Sequence, residues 1–179
     1  MQIGRESTMT NIAEKATKDL KAWTVHTKRG HAKTIMEEIL AGNSSSDTQV
    51  LVTRADAIFG MDHLRSALYH AKRAIEQGTN SSDSLAMETL LYASAERQLS
   101  TAIKKMSVNA QTEELVVAQL AGHPIEPEED WRKLDDATGL MADRLLRFGL
   151  TKTELATIEK RSPLELVLEK VAAVDILKK

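Results

Sequence analysis

The chain has 179 residues, 42% of them hydrophobic, which is enough to bury one core and excludes a disordered polypeptide. Charged residues make up 28% and nearly cancel at a net charge of −2, so wholesale coating of nucleic acid is excluded and any cationic surface must be local. The lack of cysteine removes disulfides, thiolate metal sites and cysteine nucleophiles, and the lack of a signal-peptide core or an apolar run of about 20 residues predicts a soluble cytoplasmic protein with no membrane contact.

Residues 1–9 read as a tag or disordered start, because a second methionine, Met9, precedes a more regular pattern. An amphipathic segment over 11–20 leads into Trp23-Thr-Val-His-Thr. There Trp23, Val25 and Thr27 alternate with Thr24 and His26 at the period of a half-buried strand. Ile35, Ile39 and Leu40 share one face of a helix predicted over 31–41, which Gly42-Asn43 should close with a left-handed residue. A turn over 43–47 follows. Gln49 to Thr53 and Ala57 to Phe59 are β-prone and together predict one strand or a bulged pair.

The best-defined element comes next. Met61, Leu64, Leu68, Ala71 and Ile75 step by three and four, which aligns them on one helical stripe that Gly78 ends. Ala67, Ala71 and Ala74 let a neighbour approach the backbone, while Arg65, Lys72 and Arg73 fall on other faces. Asn80 to Asp83 supplies turn and N-cap chemistry. Met87, Leu90 and Leu91, then Ala95, Leu99, Ala102, Ile103 and Met106, predict two short helices broken near Ser94.

Leu115 to Leu120 reads as a buried strand ended by residues 122–127, and the acidic run over 126–136 as a solvated loop. Leu140, Met141, Leu145 and Phe148 mark a helix stopped at Gly149. Thr151-Lys-Thr-Glu154 and Ser162-Pro-Leu-Glu165 are capping boxes, the second with proline at the first helical position, and Leu164, Leu168 and Val171 continue its apolar face. The whole string predicts one α+β domain over 10–179. Its sheet is small, mostly antiparallel or mixed, with three to four strands flanked by about seven or eight helices.

The sequence holds no phosphate-binding glycine loop, dinucleotide fingerprint, zinc-peptidase helix or nucleophile elbow, so no catalytic residue, cofactor or metal is predicted. His63 and His70 lie seven apart, nearly on one helical face, but no third ligand has diagnostic spacing; they read as surface or half-buried histidines with ordinary hydrogen bonds. Glu88 and Glu96 read as helix-surface or capping carboxylates. The basic set is more informative. Lys72 and Arg73 close one helix, while Arg97, Gln98, Lys104 and Lys105 decorate the next, and both cation types bind phosphate while arginine also stacks on unpaired bases. Aromatic residues, at 3%, are too few for a general single-strand stacking platform.

The segment Asp56 to Met106 carries D-A-I-F-G-x-x-H-L-x-x-A-x-x-H-A-x-R-A, then E-x-L-L-Y-A-S, then E-R-Q-L-x-x-A-I-K-K-M. In that order it resembles the smallest regulatory subunit of the KEOPS complex, the family of the p53-related-kinase-binding protein, in its archaeal form. The resemblance implies a non-catalytic subunit that docks on the kinase-like ATPase of the complex and recruits transfer RNA through its single-stranded 3′ CCA end for threonylcarbamoyladenosine modification. By position it carries nucleic-acid contact onto Lys72, Arg73, Arg97 and Gln98, and Lys104 completes the basic set. Family members often have glycine where this chain has Ala95; a position needing positive φ there would strain the backbone. The alternatives are a purely structural or allosteric kinase-binding subunit without RNA binding, and an enzyme acting on a small ligand.

Overall fold

A computed structural model describes residues 15–44, 47–158 and 161–178. Residues 1–9 and the first four residues, 11–14, of the amphipathic segment over 11–20 lie outside that range. In chain order the elements are β1 (Lys21–His26), α1 (Ala32–Gly42), β2 (Gln49–Arg54), a 3₁₀ turn (Ala55–Ala57), α2 (Met61–Glu76), α3 (Leu85–Ser94), α4 (Leu99–Met106), β3 (Glu114–Ala121), β4 (Arg132–Lys133), α5 (Ala142–Phe148), α6 (Lys152–Leu155) and α7 (Pro163–Leu177). The four strands form one sheet in the order β2-β3-β1-β4, and every pair is antiparallel. This is the α+β class expected.

Strand β3 is the reason the sheet has two cores. It lies between β2 and β1 and is buried on both sides, which is why its sequence runs apolar without alternation. Val116, Ala118 and Leu120 point to one face, where with Leu51 they meet α2, α3 and α7; Leu115 and Val117 point to the other, where with Trp23, Val25, Val50 and Val52 they meet α1 and Trp131. Gln119 is the polar exception among the buried residues of the strand, and its side-chain oxygen accepts the Ile125 amide at 2.9 Å.

The larger core is built on α2, whose alanines 67, 71 and 74 are buried as their spacing required. Gly78, at φ 65°, ends that helix as a left-handed residue. Both capping boxes form: Thr151 with Glu154 opens α6, and Ser162 with Glu165 opens α7. The break after Ser94 also forms, with Ala95 at φ 56° and ψ 30°.

Several expectations are corrected by tertiary contacts. Gly42 stays inside α1, and Asn43 closes the helix without a positive φ by donating its side-chain amide to Ile39 at 2.8 Å. Ala57 to Phe59 do not extend β2; the chain makes a 3₁₀ turn because Arg144 gathers the carbonyls of Ala55, Asp56 and Ile58. The acidic run is not wholly solvated, since Trp131 packs on Trp23 at 5.9 Å, Arg132 and Lys133 pair with β1, and Leu134 is buried. The α3 cap is Ser84, one residue beyond the expected turn. Leu40 faces outward, and α7 buries Leu166, Val167, Val171 and Val174, so of the expected stripe only Val171 is fully enclosed.

Candidate nucleic-acid interface

Helices α2 and α3 run antiparallel because eight residues join them, which leaves the start of α3 beside the end of α2. The far end is pinned by His63. Its ring accepts the Phe59 amide at Nδ1 (3.1 Å) and meets the Ala93 carbonyl through Nε2 (3.0 Å), so the imidazole is completely buried rather than superficial. Burial lowers its pKa to about 4, and the nearby charges of Lys105 and Arg144 act in the same direction. It is therefore neutral at pH 7 and structural.

At the near end lies a network that ties α7 to this helical pair. Asp175 of α7 accepts Tyr92 Oη at 2.6 Å, meets His70 Nδ1 at 2.8 Å and pairs with Arg73 at 3.1 Å. Burial opposes its charge, but the hydrogen bonds from Tyr92 and His70 and the positive field outweigh it and hold its pKa below the ordinary carboxylate value. Glu88 also differs from a helix-surface residue: it is fully buried, accepts the amides of Ser81 and Ser82 at 3.0 Å each, and pairs with Lys178. Its role is to cap the loop between α2 and α3. Glu96 is the more superficial of the two, paired with Lys105 at 3.0 Å.

The five candidate contact residues fall into two groups. Lys72 and Arg73 sit at the end of α2, where Lys72 Nζ donates to the Ala16 carbonyl at 2.6 Å and Arg73 holds Asp175. Arg97, Gln98 and Lys104 sit beyond the opposite end of the helical pair, about 15 Å away along α2 by its rise per residue. No single patch unites all five. The second group stands on a rigid corner, because Lys105 reaches back to the Ser94 carbonyl at 2.6 Å and also binds the Phe148 carbonyl, joining the ends of α3 and α5. Arg97, Gln98 and Lys104 are exposed there, and among the described residues no hydrogen bond or ion pair holds their side chains. Sequence reasoning missed the cleft that Lys72 and Arg73 enter with Lys15, Lys18 and Tyr69, of about 620 Å³. Its only sequence signal was the lysine spacing just before β1.

Among the described residues no group of three or more histidine, aspartate or glutamate side chains is placed to hold a metal ion, and no helix is long and apolar enough to cross a membrane. Fold and surface together define a small α+β domain with a helical pair at its centre and cations displayed at both ends of it. The model of the Kinase binding protein CGI-121 family matches residues 25–159, and the chain belongs to that family. No curated protein gives a match.

Proposed function

We propose that this protein is the kinase-binding subunit of a KEOPS-type complex, docking on its kinase-like ATPase and recruiting transfer RNA through the 3′ CCA end for threonylcarbamoyladenosine modification. Family membership supports the kinase partner. The observation that carries the RNA half is the α3–α4 corner, where Arg97, Gln98 and Lys104 are exposed on a backbone locked from beneath by Lys105. A charge already spent on an internal carboxylate is costly to redirect, whereas an unengaged guanidinium can meet a phosphate or stack on an unpaired base. By the same argument Arg73, paired with Asp175, is set aside as a contact, and Lys72 stands apart from this corner at the other end of the helical pair.

The test begins with co-purification of the chain with the kinase-like ATPase, followed by binding of the isolated chain to transfer RNA with and without its CCA end. Trimming is expected to weaken binding, Arg97→Ala to weaken it further for the intact RNA, and affinity to fall steeply with salt. Complex formation with the kinase but flat RNA titrations would leave a purely structural subunit. Equal affinity for trimmed and intact RNA would remove the CCA reading.

A further inference from the structure

The outer stripe of α2 is one wall of a groove. Arg65, Tyr69, Lys72 and Glu76 recur at helical spacing over about 17 Å by its rise per residue, with buried Met61 at the foot of the row. The opposite wall is the segment from Lys15 to Trp23, anchored by buried Thr17 and Leu20 and tied to α2 where Lys72 donates to Ala16. Two clefts of about 620 and 710 Å³ lie between these walls, and exposed Lys18 lines both, so they meet there.

The charge of this groove opposes that of the protein as a whole. In the first cleft Lys15, Lys18, Lys72 and Arg73 face Asp19 and Glu76. In the second, Lys18 is joined by Lys21, Arg65 and Lys133 opposite Asp135 and Asp136. The two clefts together carry three more cations than carboxylates, in a chain whose net charge is −2. Arg65 is engaged with Asp62 and Asp136, and Arg73 with Asp175, so the lysines supply the available charge. Tyr69 stands half-buried among them, an aromatic face within a row of point charges.

We propose that this groove seats a short single-stranded stretch of RNA, with its phosphates on Lys15, Lys18 and Lys72 and one base against Tyr69. The inference rests on the RNA-binding reading above and adds a second contact surface to it. An aromatic platform beside lysines suits a strand whose bases are unpaired, because stacking needs a free base face while the charges follow the backbone. The wall from Lys15 to Leu20 lies outside residues 25–159, the stretch that the family model matches.

The test is fluorescence anisotropy of the full chain with a labelled single-stranded oligoribonucleotide, a hairpin duplex of equal charge and a polyglutamate peptide. Tyr69→Ala is expected to weaken single-strand binding about tenfold or more while Tyr69→Phe preserves it. Lys18→Ala, at an exposed position that the fold does not use, is expected to flatten the dependence of log K on log salt by about 0.7. Should Arg97→Ala weaken binding while Lys18→Ala and Tyr69→Ala leave it unchanged, the groove is refuted and the transfer-RNA reading stands. A wild-type chain that binds no RNA removes both. Equal binding of the duplex, or of polyglutamate, would overturn the single-strand assignment in favour of a generic polyanion or an acidic protein.

Discussion

The pair Glu88–Lys178 tests whether the C-terminal helix is part of the fold or an appendage. Glu88 is fully buried and the Lys178 side chain is only 8% exposed, with its ammonium 4.8 Å above the Tyr92 ring. Glu88→Gln leaves that ammonium buried with no carboxylate partner, and removing one member of a buried pair costs about 3 to 5 kcal/mol. Lys178→Met is milder, toward about 3 kcal/mol, because the Ser81 and Ser82 amides still bind the carboxylate. For a chain of this size the loss corresponds to a drop of about 10 °C in Tm. The assay is urea unfolding of both single variants and of Glu88→Gln/Lys178→Met, with m unchanged and only the midpoint shifted. The double variant is expected to cost less than the two singles together by about 2 kcal/mol. Single losses below about 1 kcal/mol, or strict additivity, would mean that the pair is solvated and the last turn of α7 is not docked, and the reasoning would fail.

Three further outcomes are expected. Ala95 carries a left-handed conformation at φ 56° that glycine adopts without a Cβ clash, so Ala95→Gly should raise stability by about 0.5 kcal/mol after the entropy of the unfolded glycine is deducted, and Ala95→Val should lower it; a destabilising glycine would refute the strain. Burial depresses His63 from 6.5 to about 4, so the unfolded chain takes up its proton first: this contribution is whole above about pH 6.5 and falls by up to about 3 kcal/mol as pH drops towards 4. Urea midpoints across that window should show the slope and His63→Gln should lose it; Asp175, held below the ordinary carboxylate value, loses its contribution only at more acid pH. Arg144 donates to the carbonyls of Ala55, Asp56 and Ile58, so Arg144→Leu should cost about 2 kcal/mol in the same urea assay, and a neutral result would show that water serves those carbonyls equally well.

The elements that could be read from the sequence are those whose signal is local. Helix α2 was legible because its apolar residues recur at one period and Gly78 ends it; α6 and α7 were legible because hydroxyl and carboxylate lie three residues apart and need no outside partner. The run over β3 announced burial on both faces but not its neighbours, and the turn at Ala55–Ala57 was missed because Arg144, far along the chain, imposes it.

The sequence by itself determined the α+β class, the α2 stripe apart from exposed Ile75, the starts of α6 and α7 and the break near Ser94, since each is set by propensities and contacts within a few residues. Only the tertiary structure decided that His63 and Glu88 are buried, that the two groups of candidate cations stand at opposite ends of a helical pair, and that lysines before β1 face Tyr69 across a groove. The reason is that periodicity reports which side of an element is apolar, whereas the side chains that meet across two elements are chosen by packing between residues distant in the chain.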